Sequence, residues 1–261
     1  MKNFYRLFAT LALLVGLLVA CGNQEKEGTA NEPVELTISA AASLQDALEE
    51  LKTTYEKEHD SVNILYNFGG SGALQQQILQ GAPVDLFFSA AKDKFDALVE
   101  KEMIEQQQGT DLLANELVLI VPKNNEKQIH SFDDLLQAGK IALGTPETVP
   151  AGQYGVDTLK SMQLWESLAS KMVYTKDVRQ VLTYTESENV DAGIVYKTDA
   201  LFSDKVDVIA TADDATHAPI IYPVGVLKAS KHGQEAKDFY QFLQSDEAMN
   251  IFKKYGFKGA Q

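Results

Sequence analysis

Four places in the sequence put small or hydroxyl-bearing residues where an extended apolar run gives way to a helical pattern, the point at which α/β proteins hold ligands. The first is Ala40-Ala41-Ala42-Ser43-Leu44-Gln45-Asp46. Ser43 with Asp46 three residues on has nearly the form of a capping box, so one reading is a helix N-cap. The alanines ahead of it also leave a helix end uncrowded, and free N–H groups there attract anions. The second place, Phe68-Gly69-Gly70-Ser71-Gly72-Ala73-Leu74, sets three glycines around one hydroxyl, so the backbone can approach something small. No Gly-Lys-Ser/Thr ending and no GxGxxG spacing accompany it, which excludes a nucleotide phosphate loop. The third, at 144–154, is a turn framed by Pro146 and Pro150. Pro150 has no N–H, so the next donors are those of Ala151 and Gly152; a helix with proline near its first position is the plainer alternative. The fourth pairs Lys176-Asp177-Val178-Arg179 at a helix start with Gly193-Ile194-Val195-Tyr196 at a strand end. Arg179 is suited to clamp an anion, or equally to pair with Asp177 or a neighbouring lobe. Tyr196, if buried, needs a partner for its hydroxyl.

Enzymatic chemistry finds little support. His59, His130, His217 and His232 are dispersed, none beside a plausible nucleophile or in HExxH spacing. A metal-dependent hydrolase therefore stands only as the alternative from another class, and neither a catalytic residue nor a free-cation site is expected. The formal charge of −14 disfavours nucleic acid and anionic membrane surfaces as partners. An acidic protein that binds an anion must do so locally.

The elements that must position these loops alternate. Apolar β-rich runs at 34–39, 62–67, 86–89, 117–121, 140–143, 192–196 and 206–210 predict strands, with amphipathic stretches such as Leu44, Ala47, Leu48 and Leu51 between them. Such alternation predicts an α/β protein with parallel sheets covered by helices. Two extended runs that each carry a proline, 117–122 and 220–226, bracket about a hundred residues with their own strands and helices. They read as crossover strands, which gives one lobe at 34–115 with 220–261 and a second at 116–219. Near the end, Phe239, Tyr240, Leu243, Met249 and Phe252 predict helical packing closed by Tyr255-Gly256, a glycine suited to a left-handed cap.

The start of the chain addresses it outward. Lys2 and Arg6 precede an apolar run to Ala20, the pattern of a secretory signal at 1–20. The run ends in Leu18-Val19-Ala20-Cys21, which resembles the lipobox of bacterial lipoproteins and implies cleavage before Cys21 and lipidation of its sulfur. Cys21 is the only cysteine, so no disulfide is expected within the domain. The polar, glycine-containing stretch to Pro33 has the composition of a flexible tether, assigned to 21–33.

Taken together, Ala41-Ala42-Ser43-Leu44, Gly81-Ala82-Pro83-Val84-Asp85-Leu86-Phe87-Phe88-Ser89-Ala90, Val149-Pro150-Ala151-Gly152, Asp177-Val178-Arg179, Ala192-Gly193-Ile194-Val195-Tyr196 and Tyr255-Gly256-Phe257 resemble the periplasmic molybdate-binding proteins, in order, over 34–257. The resemblance implies a two-lobed type II periplasmic-binding-protein fold, with two mixed or parallel sheets flanked by helices and two crossover strands. It implies an oxyanion held by Ser43 and Ser71 through hydroxyl and amide, by the amides of Ala151 and Val178, and by the Tyr196 hydroxyl. Some relatives have a second serine where this chain has Gly70, so that hydroxyl is not available here. The implied ligand is molybdate or tungstate and the implied partner is the permease of an ABC transporter. The protein is expected to be a monomer, anchored through Cys21 on the outer face of the cytoplasmic membrane. Phosphate and arsenate keep a proton at neutral pH that needs an acceptor, and the matched positions offer no carboxylate. Sulfate, being fully ionised, or another small anion is the alternative ligand.

Overall fold

The computed structural model describes residues 33–260. The signal at 1–20, Cys21 and the tether as far as residue 32 lie outside them. The chain begins with β1 (Val34–Ala41), a 3-10 turn (Ala42–Leu44) and α1 (Gln45–Glu58), then β2 (Val62–Gly69), α2 (Ser71–Leu79), β3 (Leu86–Phe88), α3 (Lys92–Glu100) and β4 (Ile104–Ala114). It continues through β5 (Leu117–Pro122), β6 (Ile141–Gly144), α4 (Pro150–Ser161), α5 (Trp165–Leu168), β7 (Met172–Thr175), α6 (Val178–Glu186), β8 (Ala192–Tyr196), α7 (Lys197–Ala200) and β9 (Val206–Thr211). Strand β10 (Ile221–Leu227), helices α8 (Gly233–Phe242) and α9 (Asp246–Lys254), and the short β11 (Lys258–Gly259) complete it.

These strands build two mixed sheets. One has the order β11-β4-β10-β3-β1-β2 and the other β7-β6-β8-β5-β9. In the first, β1 runs parallel to β2 and β3, while β10 is antiparallel to β3 and β4. In the second, β6 is parallel to β7 and β8, while β5 is antiparallel to β8 and β9. The chain passes from the first sheet to the second between β4 and β5, and returns between β9 and β10. Every residue of β5 and β8 is buried, because helices cover both faces and each strand can then be apolar throughout.

The seven strands expected from apolar runs are all present, with ends that extend by as much as Val34–Ala41 against the expected 34–39. Purely parallel sheets are not what forms. Strand β4 was not foreseen, because Glu105-Gln106-Gln107-Gln108 lies within it and its burial is confined to its ends. Pairing with β10 at Ile104 and from Gly109 to Ala114 holds the strand on either side of this polar segment, across which the register shifts. The C-terminal cap forms as expected: Gly256 has φ +87° and donates to the Lys253 carbonyl, while the Phe257 N–H reaches the Phe252 carbonyl.

Hydrophobic burial supplies most of the stability, and the middle strand of the second sheet is a direct place to test it. Ile194 on β8 is fully buried. Ile194→Ala should lower stability by about 2–5 kcal/mol, read in urea as an earlier midpoint with an unchanged slope.

Candidate functional site

Five strands that run in the parallel sense within their sheets hand over to helices around one crevice. After β1 comes Ser43, after β2 Ser71, after β6 Ala151, after β7 Val178, and β8 ends in Tyr196. All five line a single cavity of about 10 Å³, room for the centre of about one water-sized sphere. The rest of its wall is alanine, glycine, valine and proline, so among the described residues no charged side chain lines it. Ser71 is fully buried and the others are nearly so, from 1% exposed at Tyr196 to 6% at Ser43. A hydrogen bond here therefore faces little competition from solvent. A larger depression of about 390 Å³ lies by Lys92, Asp96 and Asp111. Its charges are spent on one another, with Lys92 Nζ 3.3 Å from both carboxylates.

Ser43 is not the N-cap that its spacing to Asp46 suggested. It lies inside the 3-10 turn, where no side chain caps either helical segment, and its Oγ sits 3.0 Å from the Tyr222 hydroxyl. Ser71, at the first position of α2 behind Gly70, accepts the Ala90 N–H on its Oγ at 2.9 Å. That contact occupies one lone pair and leaves the hydroxyl proton to be given elsewhere. Tyr196 has the Ala90 carbonyl 3.5 Å from its hydroxyl, a long contact. Burial, foremost, and the neighbouring Tyr222 push its pKa well above the ordinary tyrosine value, so it keeps its proton and acts as a donor.

Helix starts supply the amides. The first N–H groups of a helix have no acceptor within it, and Ser71 and Val178 occupy the first positions of α2 and α6. On α4, Pro150 is at the first position as the plainer reading had it, and the amides of Gly152 and Gln153 both turn to the Val149 carbonyl. Ala151 thus carries the first available N–H of that helix.

The glycines serve a different approach from the one expected. Rather than bringing backbone to a ligand alone, they bring the loop of the first sheet against the loop of the second. A Cβ on Gly70 would lie 2.6 Å from the Thr148 carbonyl oxygen, and one on Gly72 2.8 Å from the Thr148 Cα. The Gly72 N–H donates across this contact to the Thr148 carbonyl at 2.9 Å. A serine at position 70 would not fit the same approach. Arg179 also bridges the two sides: its guanidinium lies 3.0 Å from Asp46 Oδ2 and 3.3 Å from Oδ1, outside the cavity wall. Of the roles open to it, the structure displays a pairing with Asp46 rather than with Asp177.

Behind Tyr196 lies Asp199, whose Oδ2 accepts the Tyr196 N–H at 3.2 Å while its buried Oδ1 finds no hydrogen-bond partner among the described residues. Arg179 is 4.0 Å from that oxygen, too far to offset the loss of water. Burial therefore outweighs Arg179 and pushes the Asp199 carboxyl up to about 7. The residues that sequence reasoning passed over are this aspartate, Ala90, Tyr222 and Asn115. Tyr222 carried one usable signal, a hydroxyl set in an otherwise apolar strand.

Two mixed α/β sheets, joined by two passages of the chain and enclosing a donor-lined crevice at their strand ends, define a solute-binding protein of the type II periplasmic class. The chain belongs to the family of bacterial extracellular solute-binding proteins, which it matches over residues 36–258. Such proteins are the non-enzymatic binding components of importers. The chain is 56% identical over 247 residues to YvgL of Bacillus subtilis (strain 168), by name a candidate ABC transporter substrate-binding lipoprotein, covering 94% of this chain and 95% of that one. It is 37% identical to the molybdate-binding protein ModA of Escherichia coli (strain K12), covering 98% of each. Among solved structures, the substrate-binding domain of a candidate molybdenum ABC transporter from Clostridium difficile is 42% identical with a TM-score of 0.67, over 87% of this chain and all of that one. The sulfate-binding protein SubI from Mycobacterium tuberculosis H37Rv shares the fold alone, at 16% identity and a TM-score of 0.74 over 87% of this chain and 88% of that one.

The raised carboxyl of Asp199 sets a pH signature. An unfolded chain ionises it near 3.8 and the folded protein near 7, so its contribution to stability is present below the lower value and is lost as pH rises through the upper one. Asp199→Asn should gain in melting temperature relative to the parent as pH goes from about 4 to about 7, then level off. A difference that stays constant across that range would show that Asp199 does not titrate there.

Proposed function

We propose that this protein binds molybdate, with tungstate a close second, and delivers it to the permease of an ABC importer. The observation that carries the reading is a buried crevice ringed by uncharged donors from both sheets, with no cationic side chain among the described residues in its wall. The identity to a molybdate-binding relative supports it. The donors are the hydroxyls and amides of Ser43 and Ser71, the amides of Ala151 and Val178, and the Tyr196 hydroxyl. At about 1.5–3 kcal/mol each toward a charged acceptor, these give very roughly 10–20 kcal/mol gross. A net of about 8–12 kcal/mol, micromolar to nanomolar affinity, follows if the donors are held in place before the ligand arrives.

Residues 34–115 with 220–261 act as one lobe and 116–219 as the other, closing over the anion by a hinge motion. The Gly72 to Thr148 bond and the Arg179 to Asp46 pair mark the closed contact. Signal cleavage at Cys21 and lipidation of its sulfur hold a monomer at the outer face of the cytoplasmic membrane, with 21–33 as the tether.

A thermal-shift series on the soluble domain with molybdate, tungstate, sulfate and phosphate tests the ligand. At a thousandfold excess over its dissociation constant a ligand stabilises by about 4 kcal/mol, a shift on the order of ten degrees. A large shift with sulfate and none with molybdate would transfer the assignment to sulfate. Ser43→Ala and Ser71→Ala should each weaken molybdate binding about tenfold or more by calorimetry, whereas Arg179→Lys should cost less, since a partly exposed ion pair is worth about 1 kcal/mol or below. Equal losses in all three would make Arg179 a ligand. Gly72→Ala should also weaken binding by obstructing closure, with the melting temperature of the unliganded protein changed little.

A further inference from the structure

We propose that Tyr222, held by Asn115, is a positioning residue that fixes Ser43 as a donor toward the crevice and so biases the site against oxyanions that carry a proton. The inference rests on the oxyanion reading above and deepens it.

The direction of each hydrogen bond follows from the one before. Asn115 Oδ1 accepts the Glu116 N–H at 2.9 Å, which orients the amide and turns Nδ2 the other way. Its two protons go to the Thr198 Oγ1 at 2.9 Å and the Tyr222 hydroxyl oxygen at 3.1 Å. Tyr222 is fully buried, and among the described residues its hydroxyl meets only Asn115 Nδ2, which is itself a donor, and Ser43 Oγ at 3.0 Å. The Tyr222 proton therefore belongs to Ser43, since a buried hydroxyl proton without an acceptor is costly. Ser43 in turn receives that proton on one lone pair, and its own hydroxyl proton is left to point into the cavity that Ser43 lines. Ser71 is biased in the same sense by the Ala90 N–H. With both serine oxygens already engaged as acceptors and Tyr196 kept protonated by burial, the crevice favours giving protons over taking them. A fully ionised tetrahedral anion matches that; hydrogen phosphate brings a proton that the site is poorly disposed to accept.

Calorimetry with molybdate and with inorganic phosphate at neutral pH tests this on the parent protein, Tyr222→Phe, Ser43→Ala and the double variant. Tyr222→Phe should weaken molybdate binding about five- to tenfold, narrow the preference for molybdate over phosphate, and have no further effect once Ser43 is alanine. An equal loss in both backgrounds would reduce Tyr222 to a structural role and overturn the proposal, as would a Tyr222→Phe protein that binds molybdate within twofold of the parent. Should Tyr222→Phe fail to fold, Asn115→Ala interrupts the same chain one bond earlier and is judged by the same comparison. Parent protein that takes up neither molybdate nor sulfate overturns the oxyanion reading and this inference with it. Uptake of sulfate alone removes only the molybdate assignment, and the comparison is then read with sulfate.

Discussion

The crevice can take a charged guest only with neutral groups, and much of the surrounding structure follows from that constraint. Hydrogen bonds from dipoles stabilise an anion well only where they are aimed beforehand and shielded from water, because a dipole that must turn to meet its ligand spends part of the gain on reorganisation. Each half meets this need in the same way. A strand ends, a short turn follows, and a helix begins with its first amides available at the crevice. The dipole fields of α2, α4 and α6 converge where no lysine or arginine reaches.

The absence of basic side chains from the cavity wall does not leave charge idle around it. Arg179 stands just behind, engaged by Asp46 across the two sides and near the buried Asp199. Its cost of desolvation is limited because the guanidinium is partly exposed, and so is its contribution. Asp199 represents the opposite choice, a carboxyl withdrawn from water that gains one backbone N–H and little else. Orienting the chain at Tyr196 offsets part of that burial.

The strand-to-helix loops were legible in the sequence because each depends on local chemistry. Ser43, Ser71, Ala151, Val178 and Tyr196 all sit at breaks in an apolar rhythm, and the structure brings all five around one cavity. Strands such as β5 and β8 were equally plain, since continuous burial produces continuous apolar runs. What escaped was long-range or masked by composition. The Ser43 to Tyr222 contact spans 179 positions and the Asn115 to Tyr222 contact 107, distances over which no spacing rule operates. Strand β4 escaped because its glutamines give no apolar signal and its extended form is imposed by β10. Ser43 was open to misreading as a cap because its spacing to Asp46 is right for one, while the partner that draws its hydroxyl elsewhere is far along the chain.

Only Asn115 and Glu116 separate the end of β4 from the start of β5. So short a link sets the distance between the two sheets at that point and leaves them little relative freedom beyond rotation. Asn115, at this link, is bonded to hydroxyls on both the returning strand and α7. The two-residue link and the longer return between β9 and β10 thus tie the width of the crevice to the same few residues that orient Tyr222.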